Sequence, residues 1–217
     1  MSQLDLTNKT VFGVALNFKS LMESHQAAFN EKPYVAPPKK PVLFIKTPNT
    51  YNLTHVVPAG NLEKVQTGAN IAIVMGKDAT RVTKENALEY VKGITVANDY
   101  SLPIESYYRP AVVAKCRDGF FTINETITPL SEIADLNNLT LTLSVNGDEK
   151  QRETSENWVR DLPELLETIT EFMTLHEGDV LLTGTPANNI YVSAGDKVTA
   201  SIEGISTLTD TISGEDA

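Results

Sequence analysis

The sequence predicts a single α+β, mainly β domain over residues 1–217, and three features carry that expectation. Short apolar runs recur along the chain, each closed by Gly, Pro, Asn or Asp turn chemistry. Three stretches have the apolar spacing of short helices. No repeat, low-complexity tract or domain-linker composition divides the chain, and 217 residues suffice to bury one sizeable core.

In order, Thr10–Leu16 reads as a buried strand, and a helix follows Asn17-Phe18 through about Phe29. Pro33, Pro37 and Pro38 make Lys32–Lys40 a surface loop, and Val42–Ile45 is a compact strand ended by Thr47-Pro48-Asn49-Thr50. Ala69–Met75 is the most strand-like segment, turned by Gly76-Lys77-Asp78. Thr83 is placed to cap a helix over Lys84–Tyr90, and strand Gly93–Ala97 ends in Asn98-Asp99. Leu139–Val145 alternates, Asn146-Gly147 is a hairpin turn, and a polar strand returns. Leu162–Leu175 has helical spacing with Pro163 in its first turn. Val180–Leu182 and Val198–Ile202 are strands, and a polar tail ends the chain.

With a formal charge of -10 the surface would on average repel a nucleic-acid backbone, and any anion site must be locally basic. Cys116 is the single cysteine, which excludes an internal disulfide. The start MSQLDLTNKT lacks a signal-peptide pattern, and no apolar run is long enough to span a bilayer. A cytoplasmic setting is expected.

Three clusters hold chemistry. Asp99 sits at a strand end, where it either binds a ligand or caps the next turn. Arg109, Lys115 and Arg117 form a local positive excess, either a receptor for carboxylates or an exposed basic loop. Thr183-Gly184-Thr185-Pro186 offers hydroxyls and backbone N–H groups to an anion, or is only a turn. His25, His55 and His176 lack metal-ligand spacing.

Taken in order, a set of motifs resembles the fumarylacetoacetate hydrolase family. They are Ala15–Phe18 (ALNF), Pro41–Asn49 (PVLFIKTPN), Ile73–Lys77 (IVMGK), Gly93–Asp99 (GITVAND), Glu171–Leu175 (EFMTL), Gly178-Asp179, Thr183–Pro186 (TGTP), Ala194-Gly195-Asp196 and Ile202–Leu208 (IEGISTL). Tyr100–Pro103, Glu105-Ser106, Tyr108–Ala111 and Ala114–Phe120 narrow the resemblance to a branch that isomerises and decarboxylates products of 4-hydroxyphenylacetate breakdown.

The resemblance implies bent mixed sheets in a β-roll and a homodimer or a heteromer with a paralogous subunit. It also implies a small carboxylate-rich keto or enol acid as substrate. In the family, Glu-x-Glu on one strand and a later Asp hold Mg²⁺, Mn²⁺ or Ca²⁺, because residues i and i+2 of a strand share a face. The ion stabilises the enolate that forms on proton transfer or loss of CO₂.

Carried over by position, Asp99 fills the Asp place and Lys115 the Lys place, the two catalytic candidates. Lys46, Arg109, Arg117 and Thr185 are the substrate-binding candidates. The two Glu places fall on Gly68 and Asn70, which leaves Asp99 and Asn70 to hold Mg²⁺ or Mn²⁺ weakly or not at all. A His and a Glu of the family are replaced by Leu21 and Ser24, with Glu23 and His25 turned to other faces of their helix. The implied function is therefore a subunit of an isomerase/decarboxylase. The alternatives are a degenerate unit supporting a carboxylate-complete paralogue and an acylpyruvate-type hydrolase.

Overall fold

The computed structural model describes residues 2–61, 64–104, 106–187 and 189–215. Of the motifs above, only Glu105 lies outside the described residues. Among them the strands are β1 (Ser2–Gln3), β2 (Val11–Ala15), β3 (Val42–Lys46), β4 (Val56–Pro58), β5 (Val65–Thr67), β6 (Ala69–Met75) and β7 (Val91–Asp99). They continue with β8 (Phe121–Ile123), β9 (Thr126–Pro129), β10 (Thr140–Val145), β11 (Asp148–Thr154), β12 (Val180–Leu182), β13 (Ile190–Val192), β14 (Lys197–Ile202) and β15 (Ser206–Ser213). The helices are α1 (Lys19–Ser24), α2 (Gln26–Phe29), α3 (Val112–Lys115) and α4 (Leu162–Thr170).

The larger sheet runs β1-β9-β7-β6-β12-β2-β3, with β8 also paired to β7. A second runs β11-β10-β14-β15-β4, and β13 pairs β5. Both larger sheets are mixed: β12 is parallel to β2, and β15 is parallel to β4. Every residue of β6 is buried because each face meets a different core. Ile71, Ile73 and Met75 pack with Leu141, Leu143, Val198 and Ile202 of the second sheet. Ala72 and Val74 face Val11, Phe121, Ile127 and Val180. A strand buried on both faces loses its polar alternation, which is why ANIAIVM reads as one apolar run.

Asp161 caps α4 by accepting the Glu164 N–H at 2.9 Å, and the helix buries Leu162, Leu165, Leu166 and Ile169. It stops at Thr170, short of the expected Leu175. The Thr170 carbonyl accepts the Arg81 N–H at 2.8 Å, and Leu175 instead bridges Ala79. The expected helix over Lys84–Tyr90 is a single 3-10 turn, Ala87–Tyr90. Thr83 does not cap it; its own N–H donates to Asn86 Oδ1 at 3.0 Å. The helix expected after Phe18 is two short ones meeting at His25. Among the described residues, no helix is long and apolar enough to cross a membrane.

Candidate active site

The site lies where β6 and β7 begin and end side by side. The Asp99 N–H donates to the Gly68 carbonyl at 2.9 Å, so the end of β7 is pinned to the turn between β5 and β6. Behind it, the buried Asn98 accepts from Thr67 Oγ1 at 2.6 Å and the Gly68 N–H at 3.0 Å. Asn98 is held in turn by a deeper network. Asp210 Oδ2 accepts from Tyr100 Oη at 2.8 Å, Thr122 Oγ1 at 2.6 Å and Asn98 Nδ2 at 3.4 Å. Burial, with the Asp210 charge beside it, pushes the Tyr100 phenol well above its ordinary value and keeps it a donor.

The second wall is the Thr183–Pro186 turn. Gly184 has φ +107, and a Cβ there would lie 2.8 Å from the Val14 carbonyl. Glycine is required on both counts. Asn17, wholly buried, fastens this turn through Nδ2 to the Thr183 carbonyl at 3.0 Å. The third wall is α3, which delivers Lys115. Its Nζ lies 4.2 Å from the Phe44 ring centre. Phe44 has room because Gly13 lies beneath it, where a Cβ would fall 2.1 Å from the ring.

Asp99 is 4% exposed, and each of its oxygens faces an ammonium. Lys115 Nζ donates a short hydrogen bond to Oδ2. Lys46 Nζ lies 2.9 Å from Oδ1, an ion pair off the line of a good hydrogen bond. Lys46 also donates to the Tyr100 carbonyl at 3.1 Å and to the Lys115 carbonyl. Burial alone would raise the Asp99 carboxyl, but Lys115 and then Lys46 outweigh it and hold the acid below its usual value. Burial lowers the Lys46 ammonium, with Asp99 opposing. The Tyr100 and Lys115 carbonyls take two protons of its charged form, and Asp99 Oδ1 faces it as an ion pair.

A cavity opens over this triad, lined by Gln66, Asn70, Tyr107, Lys115, Thr185 and the buried Leu21. It continues into an outer groove of about 230 Å³ that carries Arg109, Tyr108, Phe44 and again Tyr107 and Lys115. The Tyr107 backbone N–H donates to Tyr34 Oη at 2.6 Å, and its ring meets the edge of His25 at 5.1 Å. Its phenol is pushed up to about 12, by burial first and then by Tyr34 and Asp99.

The structure thus brings Asp99, Lys115, Lys46, Asn70 and Thr185 together, with Arg109 at the groove. It does not bring in Arg117, which packs over Phe120 at 5.9 Å. Lys46 is 0% exposed and spends its donors on the protein, so it supports the site from behind. Sequence reasoning missed Tyr107 and Gln66 as lining groups. The aromatic pair flanking Arg109 was the available signal for the first.

A divalent ion, which the family resemblance implies, finds a poor donor set. Asn70 is 1% exposed, its Nδ2 donates to the Gly68 carbonyl at 2.9 Å, and its Oδ1 accepts the Gly184 N–H at 3.0 Å. A side chain at Gly68 would press on Thr185 Oγ1 at 3.1 Å. Among the described residues, no three His, Cys, Asp or Glu side chains converge. The residues present do not fit a hard cation, which takes several free oxygen ligands.

The mixed sheets and the lysine-flanked carboxylate at a strand end define a class. The description Fumarylacetoacetate (FAA) hydrolase C-terminal matches residues 10–213, and the chain belongs to that family. Among its relatives, the 4-hydroxyphenylacetate degradation bifunctional isomerase/decarboxylase of Escherichia coli is 42% identical over 207 residues, 95% of this chain and 47% of that protein. The chain spans about half the length of the curated relatives it matches first. The 5-carboxymethyl-2-hydroxymuconate delta-isomerase of Mycobacterium smegmatis has a similar structure, at TM-score 0.78 and 30% identity, over 94% of this chain and 78% of that one. Fumarylpyruvate hydrolase from Pseudomonas aeruginosa, solved with Mn²⁺ and pyruvate, shares the fold at TM-score 0.78 and 20% identity, over 95% and 90%. This chain departs from the donor set that the family resemblance implies.

Proposed function

We propose that residues 1–217 form one domain that acts as a subunit of an isomerase/decarboxylase on a small carboxylate-rich dienol acid such as 5-carboxymethyl-2-hydroxymuconate. Isomerisation is the step assigned to this chain. The observation that carries the reading is the Lys115 ammonium, set against Asp99 and facing the same cavity as Tyr107 and Thr185. Isomerisation releases the enol O–H proton to solvent and takes a solvent proton at the distant carbon, so a dienolate must be held in between. Lys115 supplies positive charge to its oxygen, and charge placed where it develops stabilises such an intermediate. Tyr107 is the neutral donor in the same cavity, and Arg109 takes a distal carboxylate at the groove. No step runs through a metal, and binding of Mg²⁺ or Mn²⁺ is weak or absent in this reading. Hydrolysis is less well supported, because Leu21 stands where a water-activating dyad would be needed.

A second reading has a specific support. The missing carboxylates, together with relatives twice this length, fit a catalytically degenerate unit that completes a carboxylate-complete paralogue. Either reading gives a homodimer or such a heteromer, in a cytoplasmic setting and without nucleic acid. Steady-state assays of the purified chain on the dienol acid, with and without EDTA, decide between them. Turnover in both conditions is expected; a folded chain inactive in both, and active only on adding the paralogue, would leave the second reading.

A further inference from the structure

The Lys46–Asp99–Lys115 cluster is more than a metal site that lost its ligands. Its own charges sum to one net positive: two ammoniums and one carboxylate, all nine-tenths or more buried. A divalent ion added there would place further positive charge against two buried ammoniums with one carboxylate to balance them. Like charges at this range repel strongly where water is excluded. The neighbouring amide offers no relief, since Asn70 Oδ1 is already used by the Gly184 N–H at 3.0 Å. The cluster is electrically unsuited to a cation and suited to an anion.

Lys115 lines the cavity where such an anion would sit, and its Nζ donates to Asp99 Oδ2. Lys46, 0% exposed, stands behind the cavity, donating to the Tyr100 and Lys115 carbonyls and lying 2.9 Å from Asp99 Oδ1. It holds the peptide carbonyl of the very residue that presents the charge. Around the opening stand Tyr107 and Gln66, whose side chains make no hydrogen bond among the described residues, and Thr185 Oγ1, equally unengaged. Three polar side chains of the lining are thus unengaged, while both oxygens of its carboxylate already face an ammonium.

We propose that this chain binds a carboxylate–enolate dianion directly on Lys115, Tyr107 and Thr185, without any divalent cation, and that Asp99 and Lys46 are positioning residues for Lys115. The inference deepens the isomerase reading and rests on it for the identity of the natural anion alone. Oxalate, a planar dianion with the charge layout of a 2-keto acid enolate, is the probe.

Calorimetric titration of the full chain with oxalate is to be run in EDTA and again with excess Mg²⁺. The same affinity for free oxalate is expected in both, with the Mg²⁺-complexed share subtracted, and weakened roughly 10-fold or more in Lys115→Met, the worth of one charge-assisted hydrogen bond. Because Lys115→Met removes a buried partner and puts folding at risk, electron paramagnetic resonance of Mn²⁺ mixed with the wild-type chain gives a second reading. Free Mn²⁺ signal throughout is expected. Oxalate binding that requires Mg²⁺, no oxalate binding in either buffer, or Mn²⁺ capture lost in Asp99→Asn would each overturn the proposal. A chain that binds oxalate in EDTA but turns over no dienol would remove the isomerase reading and leave this one standing.

Discussion

Replacing Asp99 by Asn removes the one negative charge between two buried ammoniums while keeping the side chain's volume. The cost is therefore electrostatic, without a cavity. Breaking a buried pair from one side costs about 3–5 kcal/mol, because the remaining charge is left uncompensated. Here two charges are left, although Lys46 keeps its two carbonyl acceptors and Lys115 borders the cavity. For a chain of this size each kcal/mol moves the melting temperature by about 2–4 °C, so Asp99→Asn should lower it by roughly 6–20 °C. The pH dependence has a fixed sign. The Asp99 carboxyl is held below its unfolded value, so its contribution is full above about pH 4 and is lost as pH falls through the folded value. Thermal melts followed by circular dichroism should show the full gap at neutral pH, closing in acid. A variant melting within about 2 °C of wild type at neutral pH, or a gap that widens in acid, would refute the reasoning.

Three further substitutions separate the walls of the site. Gly184→Ala forces a side chain into a left-handed conformation and against the Val14 carbonyl, so its urea midpoint should fall by the equivalent of about 1–3 kcal/mol. Arg109→Ala should raise KM for the dienol acid with kcat nearly unchanged, since an exposed groove cation binds substrate and transition state alike. Tyr107→Phe should lower kcat by about 10²-fold or more with little change in KM, the usual worth of a positioned proton donor. With its phenol pushed up to about 12, wild-type rates should show no alkaline limb from Tyr107 below about pH 10.

The parts of the fold that follow a single physical rule were legible in the sequence. The apolar run of β6, the Asn146-Gly147 turn with φ of 54° and 87°, and Pro163 in the first turn of α4 are local signals, and the structure keeps them. The last strand was not legible. β15 buries Ser206, Leu208, Asp210 and Ile212 in strict alternation, but two of those four are polar. A hydrophobic pattern hides when the buried face includes a serine and an aspartate, so Ser206–Ser213 reads as a tail. The buried Asp210 is satisfied by partners from β7, β8, the turn after β7 and His55 ahead of β4, all far away in sequence.

The site was half legible for the same reason. Asp99 and Lys115 belong to motifs, and their meeting follows from the family resemblance. That Lys46 turns inward to the Tyr100 and Lys115 carbonyls while Arg117 turns aside over Phe120 depends on tertiary packing, which no spacing rule encodes. Asn70 looked like a weakened ligand in sequence. In the folded chain its amide is a brace between Gly68 and Gly184, committed at both ends.

This chain, in the proposed reading, tautomerises a dienol acid with Lys115 holding the charge of the dienolate, without a metal. Proton NMR of the dienol acid in D₂O with EDTA reads that step directly, independent of where the equilibrium lies. The wild-type chain should place solvent deuterium on the reprotonated carbon far faster than buffer does, and Lys115→Met should not. A folded wild-type chain that exchanges no faster than buffer, or a Lys115→Met variant that exchanges as fast as wild type, would contradict the account.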